Sequence, residues 1–426
     1  MIANFSVSNY RSIHEEQSVS FLTTAEKANR DLMTVEVAKG VYINKLAIFF
    51  GANASGKSNI LQAMEALFLI LCTPFNDKRK PIRFYCPFKL DDSAPINMAI
   101  EFYIEGRHYW YDVRFNKNYI EEENLYYTPL RGKALFYSRF FTGPDSQPDI
   151  KFGSTLKLTR DSKERLRELT FNNHSVLASI AKLSLKEDAR EFKKLYNWVV
   201  TRVHNINGDT SFSSYAEEFS KINSDLRKKE FYIKLLAKAD FNIVGFRLVD
   251  DNSRFSKEQR AGILSDPDIP ESRKVALLND VVFTNRSEAG DFELPLKLQS
   301  EGTLRFIDLL EALYDLVSDN HIYFLDELGN RMHYDLIVYY ILLFLYNSDA
   351  SQLFFTSQSI LLLDEDFVRR DTVYLAEKDP LTASTSYMRV SDLGLHKNMS
   401  LFNAYRIGKL GFKPELGSPY LNLKKS

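Results

Sequence analysis

The chain has 426 residues, 45% of them hydrophobic and 13% aromatic, enough to bury one large core or two moderate ones, which excludes a disordered polymer. With 55 basic residues against 56 acidic ones, the formal net charge is -1, so no global field draws it to nucleic acid or anionic lipid and any such contact must be local. Only Cys72 and Cys86 occur, which suits a reducing cytoplasm, the expected location, and offers neither a disulfide framework nor a zinc site.

From the N-terminus, Ile2 to Ser8 and Ser18 to Leu22 read as strands, with no basic region and apolar stretch of the kind a signal peptide needs. The apolar run Lys45-Leu-Ala-Ile-Phe-Phe50 follows as a third strand, then Gly51-Ala-Asn-Ala-Ser-Gly-Lys-Ser58, then the helical run from Asn59. Strand, glycine loop and helix in this order make successive backbone N–H groups and a helix N-terminus converge on one phosphate. Gly51 and Gly56 allow close backbone approach, Asn53 and Ser55 line the loop, Lys57 supplies charge to the β and γ phosphates, and Ser58 offers a hydroxyl to Mg²⁺. Mg-ATP is the expected ligand.

Residues 97 to 141 form a run of strand candidates broken by tight turns, an antiparallel sheet. Residues 160 to 240 switch to charged helical periodicity, as in Ser162 to Leu169 and Lys186 to Tyr196. A polar stretch from Asp250 to Ser272 reads as a loop, and an apolar core resumes at Val281-Val-Phe283. The longest apolar run, Leu336 to Tyr346, is too short for the ~20 residues that span a bilayer and reads as a buried helix, so no membrane is expected.

His321-Ile-Tyr-Phe-Leu-Asp-Glu327 is a buried strand ending in two carboxylates, where Asp326 can hold the Mg²⁺ shell and Glu327 can polarise water. Upstream, Leu298-Gln-Ser-Glu-Gly-Thr303 precedes a helix; the Ser300 hydroxyl, the Gly302 backbone and the helix N-terminus form a second anion site. Two anion sites on one chain suggest two chains sharing each nucleotide.

These motifs resemble the ABC-type head of the chromosome-maintenance, double-strand-break-repair and OLD ATPases. More closely, the chain resembles the compact ATPases of bacterial abortive-infection and anti-phage operons, including the Septu-type ATPases that act with a separate nuclease. The matching stretches include Asn9 to Gln17, Gly51 to Ser58, Pro87 to Asp91, Gln299 to Thr303, Leu325 to His333, Arg370 to Asp379 and Ala404 to Gly411. The resemblance implies an α/β ABC-ATPase head with a mixed central sheet, an antiparallel sub-sheet and a helical insert. Its head halves would be residues 1–155 and 241–426, with the insert at 156–240.

It further implies that Arg11 touches nucleotide phosphate, although a solvated surface arginine serves equally on sequence grounds. Ser300 and Gly302 would cap the γ-phosphate held by the other protomer of a homodimer, or of a higher oligomer. Gly329 to His333 would cross the interface beside Glu327, while His333 equally suits a helix cap. Where relatives place a switch histidine, this chain has Ser357-Gln358; glutamine donates a hydrogen bond but carries no charge, so slow hydrolysis is expected, with Gln358 in the catalytic set.

No second catalytic centre is legible. The seven histidines are scattered, and the 47 residues after Asp379 are too few for an appended nuclease, so the effector is expected to be a separately encoded nuclease. Lys78-Arg-Lys80 and Arg227-Lys-Lys229 offer possible DNA contacts, though charged runs are mostly solvated faces. Two further readings compete with an ATP-driven switch: a non-hydrolysing, nucleotide-loaded scaffold, and a ring-forming AAA+ remodeller, which the distance between Lys57 and Asp326 disfavours.

Overall fold

The computed structural model describes residues 1–129, 132–182, 189–206, 212–239, 241–251, 255–396 and 399–411. The expected helical segment at 186–188, and parts of the 156–240 and 250–272 stretches, lie outside them. The chain divides into two compact units: residues 1–206, 319–328 and 349–426 form the first, and 207–318 with 329–348 the second.

The first unit is built on two large sheets. Seven antiparallel strands run in the order Asp149–Phe152, Ala134–Phe140, Ile120–Tyr127, Arg107–Phe115, Ile96–Ile104, Ile2–Ser8 and Gln17–Ser20. Along Ile96–Ile104 burial alternates strictly, as a sheet with one covered face requires. The other sheet has six strands in the order Val203–Ile206, Ile322–Leu325, Gln352–Thr356, Leu46–Phe50, Val373–Lys378 and Thr385–Arg389, parallel except for the last. Leu46–Phe50 and Gln352–Thr356 are buried at every residue, the signature of strands covered on both faces. This is the expected α/β class, with a mixed sheet and an antiparallel sheet.

The helix Lys57–Cys72 buries Ile60, Met64, Leu67, Phe68 and Leu71, an i, i+3, i+4 stripe, in the core shared with both sheets. Each such side chain contributes about 1.5–3 kcal/mol of burial. A buried polar bridge joins the sheets: the Ile2 N–H donates to Gln352 Oε1 at 2.5 Å, and Gln352 Nε2 donates to the carbonyls of Ile2 (3.0 Å) and Asn44 (3.2 Å). Satisfied on both sides, this amide sits in the core without the penalty of an orphaned polar group.

The second unit packs the helices Phe212–Ser224 and Leu226–Lys238 with the sheet Ile243–Asp250, Asn279–Ser287 and Gly290–Pro295, and with the helices Glu301–Ser318 and Tyr334–Asn347. Tyr215 Oη donates to Asp308 at 2.5 Å and Lys228 Nζ to Glu311 at 2.8 Å, holding the first two helices on Glu301–Ser318.

Two secondary-structure expectations need correction. The stretch 250–272, expected as a loop, contains the helix Lys257–Ser265 and the start of Glu271–Leu278. Ser256 and Gln259 form a reciprocal capping box (3.2 and 3.0 Å), so local hydrogen bonds outweigh a composition rich in Asp, Ser and Pro. The helical reading of 160–240 also misses Val203–Ile206, which pairs with Ile322–Leu325 as the edge of the parallel sheet. Tertiary pairing, not local propensity, makes that segment a strand.

Candidate functional site

The loop Gly51 to Ser58 leaves the central strand Leu46–Phe50 and runs into Lys57–Cys72, in the first unit. A Cβ at Gly51 would lie 2.5 Å from both the Ala376 carbonyl and Ser55 Oγ, and one at Gly56, where φ is 92°, would collide with the hydroxyls of Thr385 and Ser12. Neither glycine tolerates a side chain. Asn53 is exposed at the turn, whereas Ser55 is buried and its Oγ has no hydrogen-bond partner among the described residues. Lys57 is buried, and its Nζ donates to the carbonyls of Gly51 (3.0 Å) and Ala52 (2.9 Å). Burial lowers its pKa, and the carboxylates of Glu327 and Asp326 oppose that shift.

The acidic strand meets this loop directly. Ser58 Oγ donates to Asp326 Oδ1 at 2.7 Å, Thr356 Oγ1 donates to the same oxygen at 2.6 Å, and the Glu327 N–H donates to Thr356 Oγ1 at 2.8 Å. Glu327 adopts φ 51°, a left-handed conformation costly for a residue with a side chain. That turn frees the second carboxylate from strict alternation: Asp326 joins Ser58, while Glu327 Oε1 accepts from Gln358 Nε2 at 2.6 Å. Residues from three separate stretches of sequence thus converge beside Lys57.

Arg11 also has positive φ (53°); its N–H donates to the Cys86 carbonyl (2.7 Å), its Nε approaches Tyr10 Oη (3.4 Å), and its side chain is exposed. In the second unit, Ser300 is exposed at the start of Glu301–Ser318, where its Oγ accepts the Thr303 N–H at 3.1 Å. Gly302 backs onto the Arg331 carbonyl, which a Cβ would meet at 3.0 Å. His333 caps Tyr334–Asn347, its Nδ1 accepting the Asp335 N–H at 3.3 Å.

Sequence reasoning missed Thr356, Ser12, Asn59, Thr385 and Tyr387. Thr356 has the plainest signal, a hydroxyl following the apolar run Leu353-Phe-Phe355. The scattered histidines include a pair brought together by the fold: His204 and His321 approach within 2.9 Å between Nε2 and Nδ1. Lys78, Arg79 and Lys80 are exposed, and no helix among the described residues is long and apolar enough to cross a membrane.

A family model described as "AAA domain, putative AbiEii toxin, Type IV TA system" matches residues 46–364, about three quarters of the chain and the whole span from the central strand past Gln358. The chain belongs to this family. It is therefore a member of a P-loop ATPase family. Among solved structures, it is similar to the SMC head domain from Thermotoga maritima, at 12% identity over 91% of this chain and 98% of that one, with a TM-score of 0.39. It is also similar to the Smc head with an extended coiled coil bound to the C-terminal domain of ScpA from Pyrococcus furiosus, at 13% identity over 96% and 98%, with a TM-score of 0.37. No curated protein matches the sequence significantly.

The residues present fit this family's ligand. Two glycines that admit no Cβ, a buried lysine and the orphaned Ser55 hydroxyl suit a polyphosphate cradle, and the Ser58 hydroxyl beside Asp326 is a hard-oxygen donor pair of the kind Mg²⁺ takes.

Proposed function

We propose that this chain is an ABC-type ATPase that binds Mg-ATP at the interface of a homodimer, hydrolyses it slowly, and so controls a separately encoded effector, a nuclease, in anti-phage defence. Lys57, Ser55 and the loop N–H groups would hold the triphosphate, and Ser58 with Asp326 the metal. Bound Mg²⁺ would supply charge neutralisation and Lewis-acid polarisation of phosphoryl oxygens. Glu327 accepts the proton of the attacking water, and Gln358 fixes the orientation of that carboxylate. Arg11 reaches phosphate from the end of the first strand. Ser300 and Gly302 complete the site from the other subunit.

The observation that carries this reading is the joining of Ser58, Asp326 and Thr356 by bonds of 2.7 and 2.6 Å, with the Glu327–Gln358 pair at 2.6 Å beside it. Support for a second subunit comes from the exposure of Ser300 at the start of a helix, where an N-terminus favours an anion. The family's description names a putative toxin of a type IV toxin–antitoxin system, which supports a second component encoded on another chain.

In the decisive experiment, Glu327→Gln retains ATP affinity within about twofold, loses turnover by ~100-fold or more, and accumulates as an ATP-dependent dimer in sedimentation analysis. A variant that stays monomeric with saturating Mg-ATP would refute the shared site. One observation favours the nucleotide-loaded scaffold instead: the uncharged Gln358 ties up a carboxylate oxygen of Glu327. Phosphate release indistinguishable between wild type and Glu327→Gln would select it.

A further inference from the structure

Beyond the residues that face the ligand, the phosphate loop is braced from behind by one C-terminal hairpin, strands Val373–Lys378 and Thr385–Arg389. Both loop glycines press on it: Gly51 against the Ala376 carbonyl of its first strand, Gly56 against the Thr385 hydroxyl of its second. Thr385 is fully buried, and its Oγ1 donates to the Ser55 carbonyl at 2.9 Å. Two residues on, on the same strand face, Tyr387 Oη donates to the Gly56 carbonyl at 2.6 Å. The Tyr387 ring meets Phe49 of the central strand edge-on, with centroids 6.3 Å apart.

The hydroxyl bonds have one possible direction. Thr385 spends its proton on the Ser55 carbonyl, so in its 2.6 Å contact with Ser12 Oγ it accepts and Ser12 donates. Ser12 Oγ in turn accepts from Asn59 Nδ2 at 2.6 Å. A relay therefore runs from the Asn59 amide through Ser12 and Thr385 to the loop, each member fixing the proton of the next. The Thr385 N–H also donates to the Ser12 carbonyl at 2.7 Å, which locks the residue following Arg11 to the same hairpin.

We infer that Thr385 and Tyr387 are positioning residues for the nucleotide's phosphates: by holding the Ser55 and Gly56 carbonyls backward they keep the loop N–H groups preorganised for the triphosphate, with Ser12 and Asn59 fixing the Thr385 proton. This rests on the phosphate-loop reading above. Neither hydroxyl touches ligand; each acts through the loop. Without them the loop relaxes, and binding must impose again the geometry that the hairpin supplied, so the loss falls on affinity.

The test uses the full chain, with binding of Mg-ATP and of inorganic tripolyphosphate measured by calorimetry beside thermal unfolding. Wild type binds both; if it bound neither, the phosphate-loop reading itself would fail. Thr385→Val, which takes the Thr385 donor from the buried Ser55 carbonyl, is expected to weaken ATP and tripolyphosphate by the same factor, about tenfold; Tyr387→Phe, whose Gly56 carbonyl keeps the Asn59 N–H at 2.9 Å, is expected to weaken both probes by a smaller common factor, about threefold. Thr385→Ser, which keeps the donor, restores affinity to within about twofold. Equal loss on both probes separates loop positioning from any contact with the base or ribose. Affinities unchanged in Thr385→Val and Tyr387→Phe, with wild type binding normally, overturn the inference. So does a loss that Thr385→Ser fails to restore while its unfolding temperature matches wild type.

Discussion

The two candidate anion sites of this chain are built in opposite ways. The phosphate loop is enclosed: Lys57 and Ser55 are buried, both glycines are pressed by neighbouring atoms, and Ser58 is bonded to a carboxylate from a distant stretch of chain. Among the described residues, the second site consists of the exposed Ser300, which caps its own helix, and Gly302, which backs onto the Arg331 carbonyl. An enclosed loop is preorganised and gives affinity by itself, whereas an open helix start gives little affinity until another surface brings a ligand to it. Under the proposed function, the contrast assigns binding to the first site and closure of the dimer to the second.

Breaking the enclosed site is expected to give the largest effect. Lys57→Ala removes the buried cation and should weaken Mg-ATP by ~100-fold or more in calorimetry, with the fold intact by circular dichroism. An affinity within threefold of wild type would remove Lys57 from the site. The open site should respond differently: Ser300→Arg leaves affinity for the first nucleotide within about twofold but lowers ATP-dependent dimerisation by ~30-fold or more in a Glu327→Gln background. Equal damage to both quantities would erase the distinction between the two sites.

A smaller effect is expected at the contact between strand ends. Gln358→Ala frees Glu327 Oε1 from its 2.6 Å partner and should lower turnover about tenfold at constant affinity, as loss of orientation predicts. Faster turnover in that variant would mean that Gln358 restrains the carboxylate instead of aiming it.

The two units should also differ in their response to pH. In the second, burial and then the neighbouring Glu311 raise the Glu218 pKa to about 7. Its folded value lies above the unfolded one, so the stabilisation from its retained proton is fully present below pH ~4.5 and is lost as pH rises to about 7. Denaturant melts of the second unit's transition should lose on the order of 2 kcal/mol across that window, and Glu218→Gln should flatten the slope. A slope that persists in Glu218→Gln would place the titration elsewhere.

Much of the fold is legible in the residues themselves where a pattern is local. The strand Ile2–Ser8, the alternating strands from Ile96 to Tyr127, and the helices after Ser58 and Ser300 announce themselves through periodicity and caps. The capping box at Ser256 and Gln259 was equally local but hidden beneath a turn-rich composition. Val203–Ile206 was not legible, because a four-residue edge strand exists only through its pairing with Ile322–Leu325.

By itself the sequence determined that a polyphosphate loop follows a buried strand and that a second buried strand ends in Asp326 and Glu327, because backbone N–H convergence and carboxylate placement are set by contiguous residues. Only the tertiary structure decided which groups serve them: Thr356 on Asp326, Gln358 on Glu327, Thr385 and Tyr387 behind the loop. Ser12 and Thr385 meet at 2.6 Å from opposite ends of the chain, and a hydrogen bond between such positions leaves no periodicity or spacing for a reader of the sequence to find.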